Sequence, residues 1–184
     1  YRMGSGAEVL RRLGAIVVTL PGGEIAPALR SGAIDAAEWV GPWLDTAIGL
    51  HEAVRYYYYP GFHEPGTGFS VGINKGVWES FDASDRRLIE AVAAGEYAYS
   101  LAEFNTNNAL SLRKLREEGG VKILKFDEPL LKAFGEISKD VVAQAGSDDE
   151  LSGKIYASYQ QFRASIMDWS DIAERAFLNS RRLA

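Results

Sequence analysis

The pattern of apolar and polar positions divides the chain into an α/β part followed by a mainly helical part. In the first part, short apolar runs rich in β-branched residues alternate with short amphipathic stretches. The runs 15–20 and 33–40 predict buried strands, and the stretches ending at Gly14 and Gly32 predict helices. Because alternating strands and helices indicate a parallel sheet covered by helices, we expect 15–20 and the segment before Glu38 to be neighbouring strands.

The second part is dominated by one long predicted helix. Asp82 is its predicted N-cap, and apolar residues three or four apart follow until Gly119 and Gly120. A helix of about thirty-five residues would be about 50 Å long, which exceeds the width of a compact domain, so we expect it to brace two lobes and to pack across the sheet. The other predicted elements are a helix at 44–54, strands at 69–73 and 121–126, helices at 128–145 and 149–169, and a short helix around 172–177.

These elements predict the domain organisation. Residues 1–81 would form an α/β lobe, and residues 82–184 would form the long helix, a short strand and the carboxy-terminal helices. The chain starts at Tyr1, within a segment that reads as extended and has no entry signal before it. We therefore expect an amino-terminal portion to precede it.

Composition and charge argue against several classes of protein. Hydrophobic residues make up 47% of the chain and charged residues 24%, which is ordinary for a globular protein. The net charge is −5 and there is no basic cluster, so a nucleic-acid partner is not expected, because phosphate binding needs clustered Lys and Arg. The absence of cysteine excludes disulfides and thiolate metal sites.

Motifs of known catalytic sites are missing. His51 and His63 are twelve residues apart, which is not the spacing of a metal hydrolase. The chain has no nucleophile elbow and no P-loop, and the glycine turn at 4–6 lacks the third glycine of a dinucleotide-binding motif. These absences favour a binding protein.

Three clusters contain residues that suit ligand binding. Arg2 lies at a predicted strand end before a glycine turn, where a guanidinium can hold a carboxylate by two parallel hydrogen bonds. Glu38 and Trp39 end the third strand-like run, where a carboxylate can ligate a hard cation and an indole can cover a small planar ligand. Glu64 lies in a loop crowded with aromatic and polar residues. From position alone, a surface ion pair is the favoured interpretation of Arg2, and a core aromatic and a solvated side chain are the favoured interpretations of Trp39 and Glu38.

In this order, the clusters resemble a known family. The chain is similar to the substrate-binding subunit of TRAP transporters, in particular to the branch that binds 2-oxo acids such as pyruvate, or lactate, together with a metal ion. The resemblance implies a periplasmic protein, made with a signal peptide in its precursor. It also implies an α/β fold with periplasmic-binding-protein-like lobes, a parallel-rich sheet, a long bracing helix and a helical carboxy-terminal tail. The motifs that carry the resemblance are YRMGSGAEVLRRLGA, LPGGEIAPALRSGAIDAAEWVGP and YYYYPGFHEPG.

The resemblance further implies roles for individual residues. Arg2 matches the arginine that pairs with the ligand carboxylate. Glu38 and the backbone of Trp39 would hold the metal ion, with the Trp39 ring lining the pocket, and Glu64 would contribute to both substrate and metal binding. The metal would be sodium or calcium without a catalytic role, and no catalytic residue is implied.

The implied partners are a small organic carboxylate and the TRAP membrane transporter subunits. A homodimer is a further expectation, because a lobe that exposes the face meant for its partner can self-associate. Two alternatives stay open on the sequence. A carboxylate-processing enzyme would anchor its substrate with Arg2 and use Glu38 or Glu64 as a base. A ligand-sensing domain of the same fold would bind a similar ligand without delivering it to a transporter.

Overall fold

The computed structural model describes residues 5–62, 66, 70–118, 120–181 and 183. None of the helices in these ranges is both long and apolar enough to cross a membrane. The elements in chain order are α1 (Ser5–Arg12), α2 (Gly22–Ser31), α3 (Pro42–Ala47), α4 (Leu50–Ala53), β1 (Tyr56–Tyr59), α5 (Lys75–Ser80), α6 (Ala83–Glu117), β2 (Lys122–Lys125), α7 (Glu128–Ala145), α8 (Glu150–Ile172) and α9 (Glu174–Ser180).

The chain divides into two compact units. Unit 1 consists of residues 1–17 and 128–184, and unit 2 consists of residues 18–127. The backbone passes from unit 1 into unit 2 after Val17 and returns after Asp127. The functional division predicted at residues 81 and 82 stays a prediction.

In unit 1, α1 packs against α7, and Val9, Phe134 and Val141 are buried. Arg12 also joins the two helices, because its Nη2 donates to Oε1 of Gln144 at 2.6 Å. The helices α8 and α9 follow, and Asp149 caps α8 by accepting the N–H of Ser152. The predicted helical tail is therefore confirmed.

The core of unit 2 forms between α2 and α4. Ile25 and Ala26 of α2 are buried with Leu50 of α4, and Leu20 and Ile34 are among the apolar side chains packed around them. The last two residues come from the runs that predicted buried strands. Those runs thus contribute to the core, although they are not strands.

The strands predicted at 15–20 and 33–40 are wrong, and so is the strand prediction over 70–73, the described part of 69–73. Ile16 is 96% exposed and Val18 is 56% exposed. An apolar β-branched run favours extended backbone, but a ladder also needs a second strand about 4.8 Å away, which a local pattern cannot supply.

Among the described residues, the sheet consists of β1 and β2. These strands are parallel, with Tyr56 opposite Lys122 and Tyr59 opposite Lys125. Next to this pair, the ring of Tyr58 stacks on Phe126 with 5.0 Å between the ring centroids. A parallel pair of strands is therefore present, but it is built from the tyrosine run and the predicted strand at 121–126 rather than from 15–20 and 33–40.

The long predicted helix is confirmed as α6, which has 35 residues. Its packing differs from the prediction, because the sheet it was expected to cross does not form and α6 packs against α3. The helix predicted at 44–54 is interrupted, since Gly49 adopts a left-handed conformation with φ 74° between α3 and α4.

Asp82 begins α6 as predicted. Its Oδ1 accepts the N–H of Ser84 at 2.6 Å and that of Asp85 at 2.9 Å. The hydrogen bonds from the amides of Asp85 and Ser84 hold the pKa of the Asp82 carboxyl below its usual value. A lowered pKa in the folded state means that this stabilisation is present above about pH 4 and is lost as the pH falls further.

We expect Asp82→Ala to lower the midpoint of urea unfolding at pH 7, because two amides at the start of α6 lose their acceptor. Asp82→Asn keeps an acceptor and should stay near the wild type at pH 7, with a weaker dependence on acidic pH. The control Glu90→Ala removes an exposed carboxylate within the same helix. Equal midpoints for Asp82→Ala and Glu90→Ala would contradict the capping role.

Candidate functional site

Glu38 and Trp39 lie on the extended segment that leads into α3. Glu38 is exposed, and Trp39 is 37% exposed. The indole of Trp39 covers Gly22, the first residue of α2, so that a Cβ on Gly22 would lie 2.8 Å from Cη2 of Trp39. A Cβ on the neighbouring Gly23 would have no atom within 4 Å. The ring position therefore requires a residue without a side chain at position 22.

Asp45 of α3, which is only 7% exposed, fixes the end of this segment by two hydrogen bonds. Oδ1 of Asp45 accepts the N–H of Val40 at 3.1 Å and that of Gly41 at 3.0 Å. These two amides precede the first turn of α3, so the carboxylate occupies the positive end of the helix and reaches back to its start. The backbone just after Glu38 and Trp39 is thereby fixed.

The second oxygen of Asp45 contacts the sheet. The hydroxyl of Tyr57, on β1, donates to Oδ2 of Asp45 at 2.6 Å. Burial, the hydrogen bond to Asp45 and the negative charge of Asp45 together raise the pKa of Tyr57 well above its usual value near 10. The phenol thus stays protonated and continues to donate to Asp45 throughout the physiological pH range.

The long helix α6 contacts the start of α3 through Asn108 and Phe104. Oδ1 of Asn108 in α6 accepts the N–H of Trp43 at 3.0 Å, which satisfies a free amide in the first turn of α3. The ring of Trp43 meets Phe104 edge to face, with 5.1 Å between the centroids. A Cβ on Gly41 would lie 3.1 Å from Oδ1 of Asn108, so the chain approaches α6 closely at this glycine.

The carboxylate and carbonyl oxygens of this segment are suitable ligands for a hard cation. Glu38 offers a carboxylate, and the peptide groups around Trp39 offer carbonyl oxygens, which are ligands that calcium and sodium accept. In the part of the chain that the structure describes, no group of three or more His, Asp or Glu side chains is arranged to hold a metal. Glu38 and the carbonyl groups around Trp39 therefore offer oxygen ligands but not a full set of cation ligands within the described residues.

Comparison with known proteins shows the family. Residues 3–149 match the family model of the bacterial extracellular solute-binding proteins, family 7. The chain belongs to this family. The resemblance identified from the sequence is confirmed, and so is the expected class of protein, because family 7 consists of solute-binding proteins rather than enzymes.

Three similar proteins carry names that state what they bind. A monocarboxylate 2-oxoacid-binding periplasmic protein of Nostoc sp. is 35% identical over 96% of this chain and 48% of its own length. The TRAP periplasmic solute-binding protein of Colwellia psychrerythraea, crystallised with calcium and pyruvate, is 31% identical with a TM-score of 0.87, over 96% of this chain and 54% of that protein. The corresponding protein of Pseudoalteromonas atlantica, with sodium and pyruvate, is 32% identical with a TM-score of 0.83 and the same coverage.

The present chain spans about half the length of these relatives. Two predicted site residues, Arg2 and Glu64, lie outside the described residues, and His63 does as well. Glu38 and Trp39 are the predicted site residues that the structure describes, and they are adjacent on one exposed segment.

The sequence interpretation missed the residues that support this segment. Asp45, Tyr57, Asn108 and Gly22 were not recognised as parts of the site. An acidic residue just inside a helix that starts with Pro42 is a local signal that could have identified Asp45. No local signal marks Tyr57 or Asn108, because their roles depend on contacts across 12 and 65 residues of sequence.

Tyr57→Phe should lower the free energy of unfolding at pH 7 by about 1–2 kcal/mol, because Asp45 loses a donor and solvent screening limits the loss at this partly exposed pair. The raised pKa of Tyr57 adds a pH dependence. The unfolded chain releases the phenol proton near pH 10 and the folded chain only at a higher pH, so the stability of the wild type falls above about pH 10.

The difference between the wild type and Tyr57→Phe should therefore narrow at alkaline pH. Guanidinium unfolding between pH 7 and pH 11 measures it. The control is Tyr56→Phe, at an exposed position of the same strand. A difference that stays constant across this pH range would show that the Tyr57 hydroxyl does not carry the effect.

The glycines at the start of α2 provide a second test, in which the same substitution should have different effects at neighbouring positions. Gly22→Ala forces the Trp39 ring to move and should destabilise the protein by about 1–3 kcal/mol. Gly23→Ala meets open space and should be neutral or stabilising by up to about 1 kcal/mol. Urea unfolding gives the stability, and near-UV circular dichroism reports the indole. Equal effects at the two positions would mean that Trp39 does not constrain Gly22.

Proposed function

We propose that the full-length protein binds a small organic carboxylate, a 2-oxo acid such as pyruvate or else lactate, together with sodium or calcium. We further propose that it does so in the periplasm and delivers the ligand to the membrane subunits of a TRAP transporter. The observation that carries the proposal is the exposed Glu38 and Trp39 segment, with its backbone fixed by Asp45, in a chain that belongs to family 7. Relatives with 31–32% identity bind pyruvate with calcium or sodium.

In this proposal the cation is held by the carboxylate of Glu38, the backbone carbonyl of Trp39 and the carboxylate of Glu64. Each supplies oxygen, the ligand atom that both ions prefer. A bound cation supplies positive charge that attracts an anionic ligand, which the net charge of −5 would otherwise repel. The partly exposed Trp39 ring provides an apolar wall beside it.

Arg2 is proposed to hold the carboxylate of the ligand. Its guanidinium presents two parallel N–H donors, which match the two oxygens of a carboxylate. In the same proposal, residues 1–81 provide ligand-binding and hinge segments, and residues 82–184 provide the long helix and the helical tail. A homodimer stays a prediction.

A carrier is favoured over a carboxylate-processing enzyme or a sensor of the same fold. Membership of a solute-binding family supports it. A carrier has to hold its ligand unchanged and release it.

Calorimetry on the full-length protein tests the proposal, with pyruvate and either calcium or sodium. Arg2→Ala should weaken pyruvate binding by about 2–5 kcal/mol, because the carboxylate loses a charged pair of hydrogen bonds. Arg2→Lys keeps the charge without the planar fork and should recover only part of the affinity. Glu38→Gln should weaken calcium binding. The controls are Arg30→Ala and Glu24→Gln, at exposed positions of α2.

Two results would contradict the proposal. Binding by Arg2→Ala within a factor of about two of the wild type, less than about 0.5 kcal/mol, would place the carboxylate elsewhere. Protein-dependent loss of pyruvate or lactate on incubation would show turnover and favour the enzyme.

A further inference from the structure

We propose that Asp45 is a positioning residue for the cation, because it aims the Trp39 carbonyl oxygen and strengthens it as a ligand. The inference rests on the proposed function, in which this carbonyl binds sodium or calcium. It assigns a role to a buried residue that would not itself touch the cation or the carboxylate.

The geometry starts with one oxygen that serves two amides. Oδ1 of Asp45 lies 3.1 Å from the nitrogen of Val40 and 3.0 Å from that of Gly41, and Asp45 is nearly fully buried. An ionised acceptor makes stronger hydrogen bonds than a neutral one. The peptide planes before and after Val40 are therefore held by the same carboxylate.

The peptide bond then transmits the constraint to Trp39. The Val40 N–H and the Trp39 carbonyl belong to one peptide group, and this group is trans, because the cis bond found among the described residues is that between Tyr59 and Pro60. In a trans peptide group the C=O and the N–H point in opposite directions. With its N–H directed at Asp45, the group presents the Trp39 oxygen on the opposite side.

The charge of Asp45 adds an electronic effect. A carboxylate that accepts a peptide N–H polarises the group and increases the negative charge on its carbonyl oxygen. A more negative oxygen is a better ligand for a hard cation, which is how hydrogen bonds behind other metal ligands act.

Tyr57 holds Asp45 directly, and Asn108 holds the first turn of the helix that carries Asp45. The hydroxyl of Tyr57 donates to Oδ2, and Asn108 of the long helix binds the N–H of Trp43 two residues before Asp45. A buried carboxylate without such donors would be costly, so the site depends on all of its hydrogen bonds being made.

The test separates charge from shape. Asp45→Asn keeps an oxygen for the two amides and removes the charge, whereas Asp45→Ala removes both. We expect calcium affinity of the full-length protein to fall about tenfold to a hundredfold in Asp45→Asn, as for other residues behind a metal ligand, and further in Asp45→Ala. Terbium luminescence sensitised by tryptophan, displaced by calcium, measures this affinity without the carboxylate. Asp35→Asn removes an equal charge at an exposed position and should bind as the wild type does.

A purely structural role gives a different result. It would lower the urea midpoint in calcium-free buffer and leave the calcium affinity of folded Asp45→Asn unchanged. Calcium affinity of Asp45→Asn within a factor of about two of the wild type overturns the inference, while the proposed function stands if the wild type binds calcium and pyruvate. Asp45→Asn decides the outcome even if Asp45→Ala does not fold. A wild type that binds neither calcium nor pyruvate overturns both.

Discussion

The buried carboxylate of Asp45 is the interaction on which the described site depends. It joins the backbone after Trp39, the start of α3 and the strand β1 through three hydrogen bonds. A buried charge is tolerated only when its donors are in place, so these elements have to adopt one mutual arrangement. The backbone position of the exposed Glu38 and Trp39 segment is fixed by these hydrogen bonds rather than by packing of the segment itself.

The long helix α6 completes the support. Asn108 binds the first turn of α3, and Phe104 packs against Trp43. These two contacts lie four residues apart on α6, which places them on one face of the helix. The support for this segment therefore comes from two side chains on one turn of α6, and not from the length of the helix. A helix in contact with α3 gives firm support to a segment that is proposed to bind a cation through its backbone.

The chemistry available at the segment suits reversible binding. Oxygen ligands, an indole wall and a fixed backbone can hold a hard cation and a small anion without activating either for reaction. The membership of family 7 agrees with this conclusion. In an acidic chain, the combination of a cation and an arginine would give an anionic ligand both local attraction and orientation.

The sequence alone determined the features that depend on local periodicity and on short motifs. The helices α6 and α7, the cap at Asp82, the family and the Glu38 and Trp39 motif all followed from residues close together in the chain. The failed strands at 15–20 and 33–40 show the limit, since their apolar pattern predicted burial but could not supply a partner. Only the tertiary structure decided that Asp45 is buried and that the Trp39 ring packs over Gly22. It also decided that Tyr57 binds Asp45 and that Asn108 binds the start of α3. Each of these features depends on which residues, far apart in sequence, come close together in space. Hydrogen bonds and close contacts follow from that proximity rather than from residue type.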